Sequence, residues 1–274
     1  MCQCGHANAV PIKTKYTKYK KVGSFMKNNT IRLSCLTALL LAASHPAFAA
    51  HPLNTDDAGV QGAGGIQLEM NTDWSKQSGD AGHVGAFTFT YGVTDKLDLF
   101  FNLPQTFQST NGTGVGDVSA GAKWRYYEAD GLALALKPEL FMPSGEESKG
   151  LGSGRNGMGL TGIASYETGP WTLHGNLGLR YSPYKLQTDQ ESKRKTIWRA
   201  SVAVWYGLNE QWRLVADTGV AQNQDASSRK LPSYALVGAI WSPNKTVDID
   251  AGAKFGLNKA EVTRQFGVGV TLHF

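Results

Sequence analysis

Residues 264–274, RQFGVGVTLHF, decide the fold that this sequence predicts. Every second residue is apolar: Phe266, Val268, Val270, Leu272 and Phe274. The residues between them are polar or small: Gln265, Gly267, Gly269, Thr271 and His273. Strict alternation of this kind predicts a β-strand with one apolar and one polar face. Chain termini are usually polar and frayed, so an apolar terminus indicates that a neighbouring strand holds this one in place.

The same alternation recurs in eleven earlier segments. In GIQLEMNTDW (65–74), for example, Ile66, Leu68 and Met70 share a face opposite Gln67 and Glu69. Most of the segments have the length that a tilted strand needs to cross a membrane. The eleven segments are 65–74, 85–92, 97–103, 117–127, 132–142, 159–167, 171–181, 197–207, 212–221, 234–241 and 247–256.

The links between the twelve segments alternate in length. Those after the even-numbered segments are short, such as VTDK and EADG, whereas those after the odd-numbered ones are longer and polar, such as PSGEESKGLGSGRNG (143–157). Short periplasmic turns and long extracellular loops are typical of outer-membrane barrels. The sequence therefore predicts an all-β fold, a transmembrane antiparallel β-barrel of about 12 strands over residues 65–274, in which the last strand closes against the first.

Aromatic residues at both ends of the segments favour the same fold. We expect them to form two girdles at the level of the lipid headgroups, with the apolar strand faces towards lipid and the polar faces towards the lumen. The outer girdle is predicted at Trp74, Tyr181, Trp198 and Tyr234. The inner girdle is predicted at Tyr91, Trp124, Tyr126, Trp171, Tyr206 and Trp212.

The first 49 residues are typical of an export signal. Residues 26–49 combine a basic start, a short apolar run and a small-x-small end at 47–49, which predicts a cleaved secretory signal peptide. Residues 1–25 are then interpreted as an upstream extension, with Met26 as the true start. Together with the barrel pattern, this predicts export to the outer membrane of a Gram-negative bacterium.

Charge and cysteine usage narrow the function further. The chain's charge of +5 comes from the leader, because 7 of the 27 basic residues and none of the 22 acidic ones precede residue 50. The remaining 20 basic and 22 acidic residues give −2, which excludes a basic nucleic-acid-binding surface. All three cysteines also precede residue 50, so no disulfide framework is expected. No metal site and no cofactor are predicted.

Several glycine-rich stretches resemble one bacterial family. They include HPLNTDDAGVQGAGGIQLE (51–69), GVGDVSAGAKWRYYEADG (114–131) and VDIDAGAKFGLN (247–258). They are similar to the outer-membrane transporter family of the meta-pathway of phenol degradation, over nearly all of residues 50–274. The resemblance implies passive passage of small, often aromatic or hydrophobic, molecules and implies no catalytic residues. A closed structural or surface-interaction barrel is the alternative.

The polar strand faces supply the candidate functional residues. Their charges either stiffen the lumen through ion pairs or line a permeation path and set its selectivity. Strand register predicts that Arg199 pairs diagonally with Asp217, and Asp248 with His273. The inward-facing residues are Glu69, Asp73, Asp98, Lys123, Arg125, Lys137, Glu139, His174, Arg180, Arg199, Arg213, Asp217, Asp248, Asp250 and Lys254.

Residues 50–64 precede the barrel and have no strand period. A loose periplasmic lead-in is the preferred interpretation, since terminal polar stretches are usually mobile. The alternative is a plug inside the lumen, with Asp56 and Asp57 meeting lumen arginines.

The remaining candidates concern partners and catalysis. The partners predicted are outer-membrane lipids, lipopolysaccharide phosphates at Lys193, Arg194 and Lys195, and a small-molecule cargo. Periplasmic chaperones and the barrel-assembly machinery are also expected, the latter reading the apolar face from Phe266 to Phe274. A lipid hydrolase would need a serine beside a histidine, and Ser165 with His174 is the one inward pair; no enzyme is predicted, because such a site belongs at the lipid face.

Overall fold

The computed structural model describes residues 51–77 and 79–274, so the predicted leader, 1–25 and 26–49, lies outside the described residues. Within the described part, twelve long strands and one two-residue strand form a single antiparallel sheet that closes on itself. The strands are β1 (Ile66–Gln77), β2 (Asp80–Thr94), β3 (Leu97–Gln108), β4 (Gly114–Val115), β5 (Val118–Ala129), β6 (Leu132–Met142), β7 (Gly157–Thr168), β8 (Trp171–Tyr181), β9 (Thr196–Gly207), β10 (Trp212–Ala221), β11 (Ser233–Asn244), β12 (Val247–Gly256) and β13 (Arg264–His273). The predicted antiparallel barrel is confirmed.

The last strand closes the barrel. β13 pairs with β1 in unbroken antiparallel register from Gln67 opposite His273 to Lys76 opposite Arg264. The backbone of Phe274 exchanges two hydrogen bonds with Ile66, at 2.9 and 3.0 Å. The apolar end of the chain is therefore held by the first strand. The role of this strand as an assembly signal stays a prediction.

All twelve predicted segments are strands, but their ends differ. The long link expected after the first strand is absent: β1 and β2 remain paired until Gln77 meets Asp80. Side chains of both strands hold this extension together, since Trp74, the last residue of the first predicted segment, stacks on His83 with ring centroids 4.9 Å apart. His83 Nε2 also lies 2.7 Å from the Thr72 hydroxyl. Of these three residues only His83 lies outside the predicted segments, so the alternation did not include it.

The two faces of the barrel differ as the alternation predicts. Large apolar side chains stand exposed on the outer face, among them Leu140, Leu177 and Val202 at 62, 66 and 58% exposure. The inner face buries polar groups such as Asp98 and Asp250. No helix within the described residues is long and apolar enough to cross a membrane.

The inner face of β11 departs from this rule. Leu236 and Ile240 are buried inside the barrel, and so is Tyr234, whose hydroxyl donates to Asp217 at 2.9 Å. The prediction that Tyr234 belongs to the outer girdle is therefore wrong. β11 is apolar on both faces because its inner face packs against chain inside the barrel rather than against water.

The long links carry short helices. A 3-10 turn covers Glu147–Lys149 and α1 covers Gln187–Ser192. Lys193 pairs with Asp189 at 2.9 Å, and Arg194 donates to the carbonyl oxygens of Asn223 and Ala226 at 2.9 and 2.8 Å. Binding of this basic run to lipopolysaccharide stays a prediction, with two of its three cations already bound within the loops.

Candidate functional site

The barrel interior is occupied by residues 51–64, called the N-terminal segment below. Seven of its fourteen residues are buried, and Ala58 is fully enclosed. Its backbone and side chains bind inward-facing residues of β1, β3, β7, β10 and β12, as the contacts below show. A loose lead-in is not what the structure shows, because a chain of this kind would leave these groups to water.

Asp217 on β10 is the main anchor of the N-terminal segment. Its carboxylate accepts hydrogen bonds from the backbone N–H groups of Asn54 and Thr55 at 2.7 and 3.0 Å. The Thr55 hydroxyl donates to it at 2.9 Å, and so does the hydroxyl of Tyr234. The predicted Asp217–Arg199 pair does not form, since Asp217 lies opposite Ala203 in the register and Arg199 lies four residues further along β9.

Leu53 provides the apolar contact of the N-terminal segment. It packs into a buried cluster on the inner faces of β9, β10 and β11. The barrel residues of this cluster are Ala203, Trp205, Val215, Tyr234, Leu236 and Ile240. Burying one leucine side chain contributes about 1.5–3 kcal/mol, so this contact is comparable to several hydrogen bonds.

The two aspartates of the segment bind lumen lysines, not the arginines that the sequence suggested. The Asp56 carboxylate lies 3.0 Å from Lys137 Nζ on β6, and the Asp57 carboxylate lies 3.9 Å from Lys123 Nζ on β5. Burial opposes ionisation of Asp56, but Lys137, Lys123 and Arg199 together lower the pKa of its carboxyl group. Asp56 is therefore held as an anion inside the barrel.

Ser165 and His174 meet in the lumen. The Ser165 Oγ lies 2.8 Å from His174 Nδ1 and accepts a hydrogen bond from the backbone N–H of Ala58 at 2.9 Å. Both side chains are buried. Among the described residues, no partner is in hydrogen-bond reach of His174 Nε2. Within the described residues the pair thus lacks a third hydrogen-bonding group that would orient the histidine, whose ring contacts Trp205, and the N-terminal segment covers its serine.

The N-terminal segment enters the barrel beside the last residues of β2. The N–H of Gln61 donates to both carboxylate oxygens of Asp98, at 3.1 and 3.0 Å. Further along, Gly64 and Gly65 bond the backbone of Gly92 at 2.8 Å. A Cβ at Gly92 would stand 1.7 Å from the carbonyl oxygen of Gly62, so the crossing requires a glycine there.

His51 lies at the other end of the segment, between two carboxylates. Its Nδ1 bonds Asp250, and its Nε2 lies 3.6 Å from an oxygen of Asp73. Burial opposes protonation of the imidazole, but the hydrogen bonds and charges of Asp250 and Asp73 prevail and raise the pKa of His51 to about 9. Room for the ring comes from β13, where a Cβ at Gly267 or Gly269 would stand 2.8 Å from a ring nitrogen.

The other predicted lumen residues form smaller networks. Asp248 binds Arg213 at 3.4 Å and His273 at 3.3 Å, as the diagonal register predicted for His273. Arg125 lies 3.2 Å from Glu128, and the Glu69 carboxylate accepts from Asn71 at 3.1 Å.

A chamber of about 800 Å³ lies on the loop side of the N-terminal segment. Asn54 of that segment lines it, together with residues of the long links such as Gly152, Tyr184 and Gln224. Its charged lining residues are Asp117, Glu139, Arg180, Lys193, Arg199, Lys254 and Glu261. Four of the predicted lumen residues therefore meet in one chamber: Glu139, Arg180, Arg199 and Lys254.

The alternation of polar and apolar residues does not predict the apolar part of this site. Leu53, Tyr234 and the inner side chains of β11 were not assigned to the lumen. The available signal was YALVGAIW (234–241), which is apolar at nearly every position, because strands that are covered on both faces lose their alternation.

Comparison with known proteins places the chain in a family. The model of a family described as "MetA-pathway of phenol degradation" matches residues 49–274. A search of curated proteins found no match.

Two kinds of solved structure share the fold. The COG4313 outer membrane channel from Pseudomonas putida F1 has 16% sequence identity and a TM-score of 0.66, over 81% of this chain and 100% of that one. The KdgM porin has 9% identity and a TM-score of 0.55, over 76% of this chain and 99% of that one, and it has also been solved in complex with disordered oligogalacturonate. At these identities, the likeness concerns the fold.

Proposed function

Since the chain belongs to the family of the MetA-pathway of phenol degradation, we propose that it is an outer-membrane channel or transporter for passive passage of small molecules. The proposal includes cleavage of the leader and a periplasmic position for both ends of residues 50–274. The observation that carries it is a charged lumen whose occupant is a chain segment without strand pairing. Such a segment is able to move without opening the sheet.

The contacts of the N-terminal segment support a gate rather than a permanent core. Its anchors are isolated hydrogen bonds, two aspartate–lysine contacts, the contacts of His51 with two carboxylates and one leucine, in contrast to the continuous pairing of every barrel strand. Local opening is cheapest where few backbone hydrogen bonds must break. Cargo of hydrophobic or aromatic character is part of the proposal and rests on the family.

The Ser165–His174 pair gives little support to an enzyme. A hydrolase serine must reach its substrate, whereas Ser165 is buried in the lumen and bound by Ala58. We therefore propose no catalytic role. A closed structural barrel is the competing function, and it predicts no passage at all.

A disulfide between the segment and the barrel tests the channel. The hydroxyl oxygens of Thr55 and Ser201 lie 2.7 Å apart, and residues 50–274 contain no cysteine, so a T55C/S201C variant carries one designed bridge. We expect single-channel currents in planar bilayers that fall at least about 10-fold on oxidation and return on reduction. Each single-cysteine variant is the matched control.

Two results would contradict parts of this proposal. Silence of the reduced and the native protein, with a folded barrel shown by heat-modifiable mobility, would favour the closed structural barrel. Equal currents in the oxidised and reduced variant would mean that molecules pass without displacement of the N-terminal segment.

A further inference from the structure

The chamber on the loop side of the N-terminal segment is called the outer chamber below. In the part of the chain that the structure describes, some of its charged side chains already have partners, and others do not. Lys254 pairs with Glu261 at 3.3 Å, and Lys193 pairs with Asp189 at 2.9 Å. Asp117 accepts backbone N–H groups of Gly145 and Ser153 at 3.1 and 2.8 Å. These groups shape the chamber wall, because their charges are already neutralised or hydrogen-bonded.

Arg180 and Arg199 differ from Lys193 and Lys254, the other two cations that line the chamber. Within residues 51–77 and 79–274, no carboxylate oxygen lies within the 4.0 Å of an ion pair from either guanidinium. They are diagonal neighbours on β8 and β9, because Arg180 pairs with Ile197 and Gly178 with Arg199. The two charges repel each other, so an anion between them would be stabilised by both.

The residues around the two arginines indicate the chemical class of such an anion. Arg180 lies over Phe141, with its guanidinium carbon 3.8 Å from the ring centroid, and its Nε donates to Ser182 at 3.1 Å. A guanidinium held in one plane binds a carboxylate through two parallel hydrogen bonds. Phe141, Ile197 and Tyr184 line the same chamber and supply apolar surface beside the charges.

We propose that the outer chamber binds small carboxylates that carry an apolar or aromatic group, with the carboxylate between Arg180 and Arg199 and the apolar part against Phe141 and Ile197. The assignment deepens the proposed function, on which it rests, by naming the chemical class of the solute. Glu139 lies beside Ser119, which donates to it at 2.6 Å, and one strand separates it from Arg180. It adds a repulsive wall that would turn the carboxylate towards the arginines.

Calorimetric titration of the purified protein with benzoate, benzyl alcohol and benzylamine tests this site. The three probes share the ring and differ in charge, and blank titrations into detergent micelles correct for partitioning. We expect benzoate to bind at least about 10-fold more tightly than the other two, since hydrogen bonds between ionised groups are the strong ones. Acetate, which lacks the ring, should bind more weakly than benzoate.

Two variants locate the binding. R199Q and R180Q should each weaken benzoate binding about 10-fold, and R199K should restore part of it. R229Q is the matched control, because Arg229 is exposed in the link after β10 and does not line the chamber. Heat-modifiable mobility shows that each variant has folded, and the comparison of probes on the native protein needs no variant.

Equal binding of benzoate and benzyl alcohol would overturn the proposal, and so would equal losses in R199Q and R229Q. Failure of this site is distinguishable from failure of the channel. Binding without ion passage would leave the carboxylate site standing and reject the channel, whereas currents without benzoate binding would do the reverse.

Discussion

The carboxylate of Asp217 is stabilised in the lumen by dipoles rather than by a cation. It accepts four hydrogen bonds, from Asn54, from both donors of Thr55 and from Tyr234. An ionised acceptor strengthens each of these bonds, and the donors are themselves buried. Two of the four donors are backbone N–H groups, so Asp217 binds the backbone of the N-terminal segment as well as one of its side chains.

Replacement of Asp217 by asparagine should loosen the segment. The carboxamide presents an N–H group to backbone donors, which leaves buried groups unsatisfied at a cost of about 1–3 kcal/mol. We expect amide hydrogen exchange at residues 54 and 55, followed by mass spectrometry, to accelerate roughly 10- to 100-fold. D130N is the control, since Asp130 lies in a turn with φ of 51°, which asparagine tolerates. Unchanged exchange in D217N would mean that other contacts hold the segment.

His51 makes the attachment of the segment dependent on pH. Its pKa is about 9 in the folded protein, above the ordinary value of 6.5. Its contribution to stability is therefore complete below about pH 6.5 and is lost as the pH rises through 9. We expect NMR titration of the His51 ring to show a pKa near 9, and a lower one in D250N.

The same linkage predicts release of the segment in alkali. Proteolysis of residues 51–61 should accelerate between pH 7 and pH 10 in the native protein, and H51Q should show a flatter dependence. A native ring that titrates near 6.5 would contradict the assignment of Asp250 and Asp73 as its partners.

The inner faces of β11, β12 and β13 form the binding surface for the first residues of the N-terminal segment. Glycines on the inner faces of β11, β12 and β13 leave space that residues 51 and 52 fill. A Cβ at Gly238 or Gly252 would stand 2.8 or 2.6 Å from Pro52. The glycines that alternate along the inner face of β13 are thus explained by packing: they leave room for the chain inside the barrel.

G269V tests this binding surface. A Cβ at Gly269 would stand 2.5 Å from an Asp250 oxygen and 2.8 Å from His51 Nδ1, so overpacking should destabilise the bound segment by about 1–3 kcal/mol. We expect faster proteolysis of residues 51–61 with an unchanged heat-modifiable barrel. G175V is the control, because nothing lies within 4 Å of a Cβ there. Equal proteolysis of the two variants would show that the glycines do not position His51.

Within residues 51–77 and 79–274, the molecule is a ring of paired strands around residues 51–61, which join no strand ladder. The ring hydrogen bonds itself without interruption from β1 to β13, and the segment supplies counter-charges and apolar contacts to the inner wall. Loss of the segment should leave the ring closed, because none of the ladder bonds passes through it.

Deletion of residues 51–61 should therefore lower stability without unfolding the barrel. Lys137, Asp98 and Asp217 would lose their partners, and we expect a Tm lower by roughly 5–15 °C together with larger currents. A variant with residues 53–58 replaced by a glycine–serine stretch of equal length removes the side-chain contacts but keeps a chain in the lumen. It therefore separates the effect of the contacts from the effect of filling the lumen. Loss of the heat-modifiable form in the deletion would mean that the segment is part of the folding core.

Side-chain alternation is enough to locate the strands, to assign their faces and to predict that the barrel closes. Side chains alternate every two residues, so the pattern of 264–274 and its eleven repeats locates each strand and assigns lumen residues such as Asp98 and Asp250. The strand register is predicted only in part. The predicted pair of Asp248 with His273 forms, whereas the predicted pair of Arg199 with Asp217 does not. The alternation assigns Arg199 and Asp217 to the same face, but a shift by an even number of residues keeps that face, so the geometry of the turn decides which residues lie opposite each other.

The position of residues 51–61 and the contents of the lumen depend on contacts that form in three dimensions. Thr55 meets Asp217 across 162 positions and His51 meets Asp250 across 199, and no local periodicity links residues so far apart. The segment has no strand period, so its partners are set by the wall it enters: a leucine-sized apolar patch, glycine gaps and buried carboxylates. These features exist only when the barrel has closed.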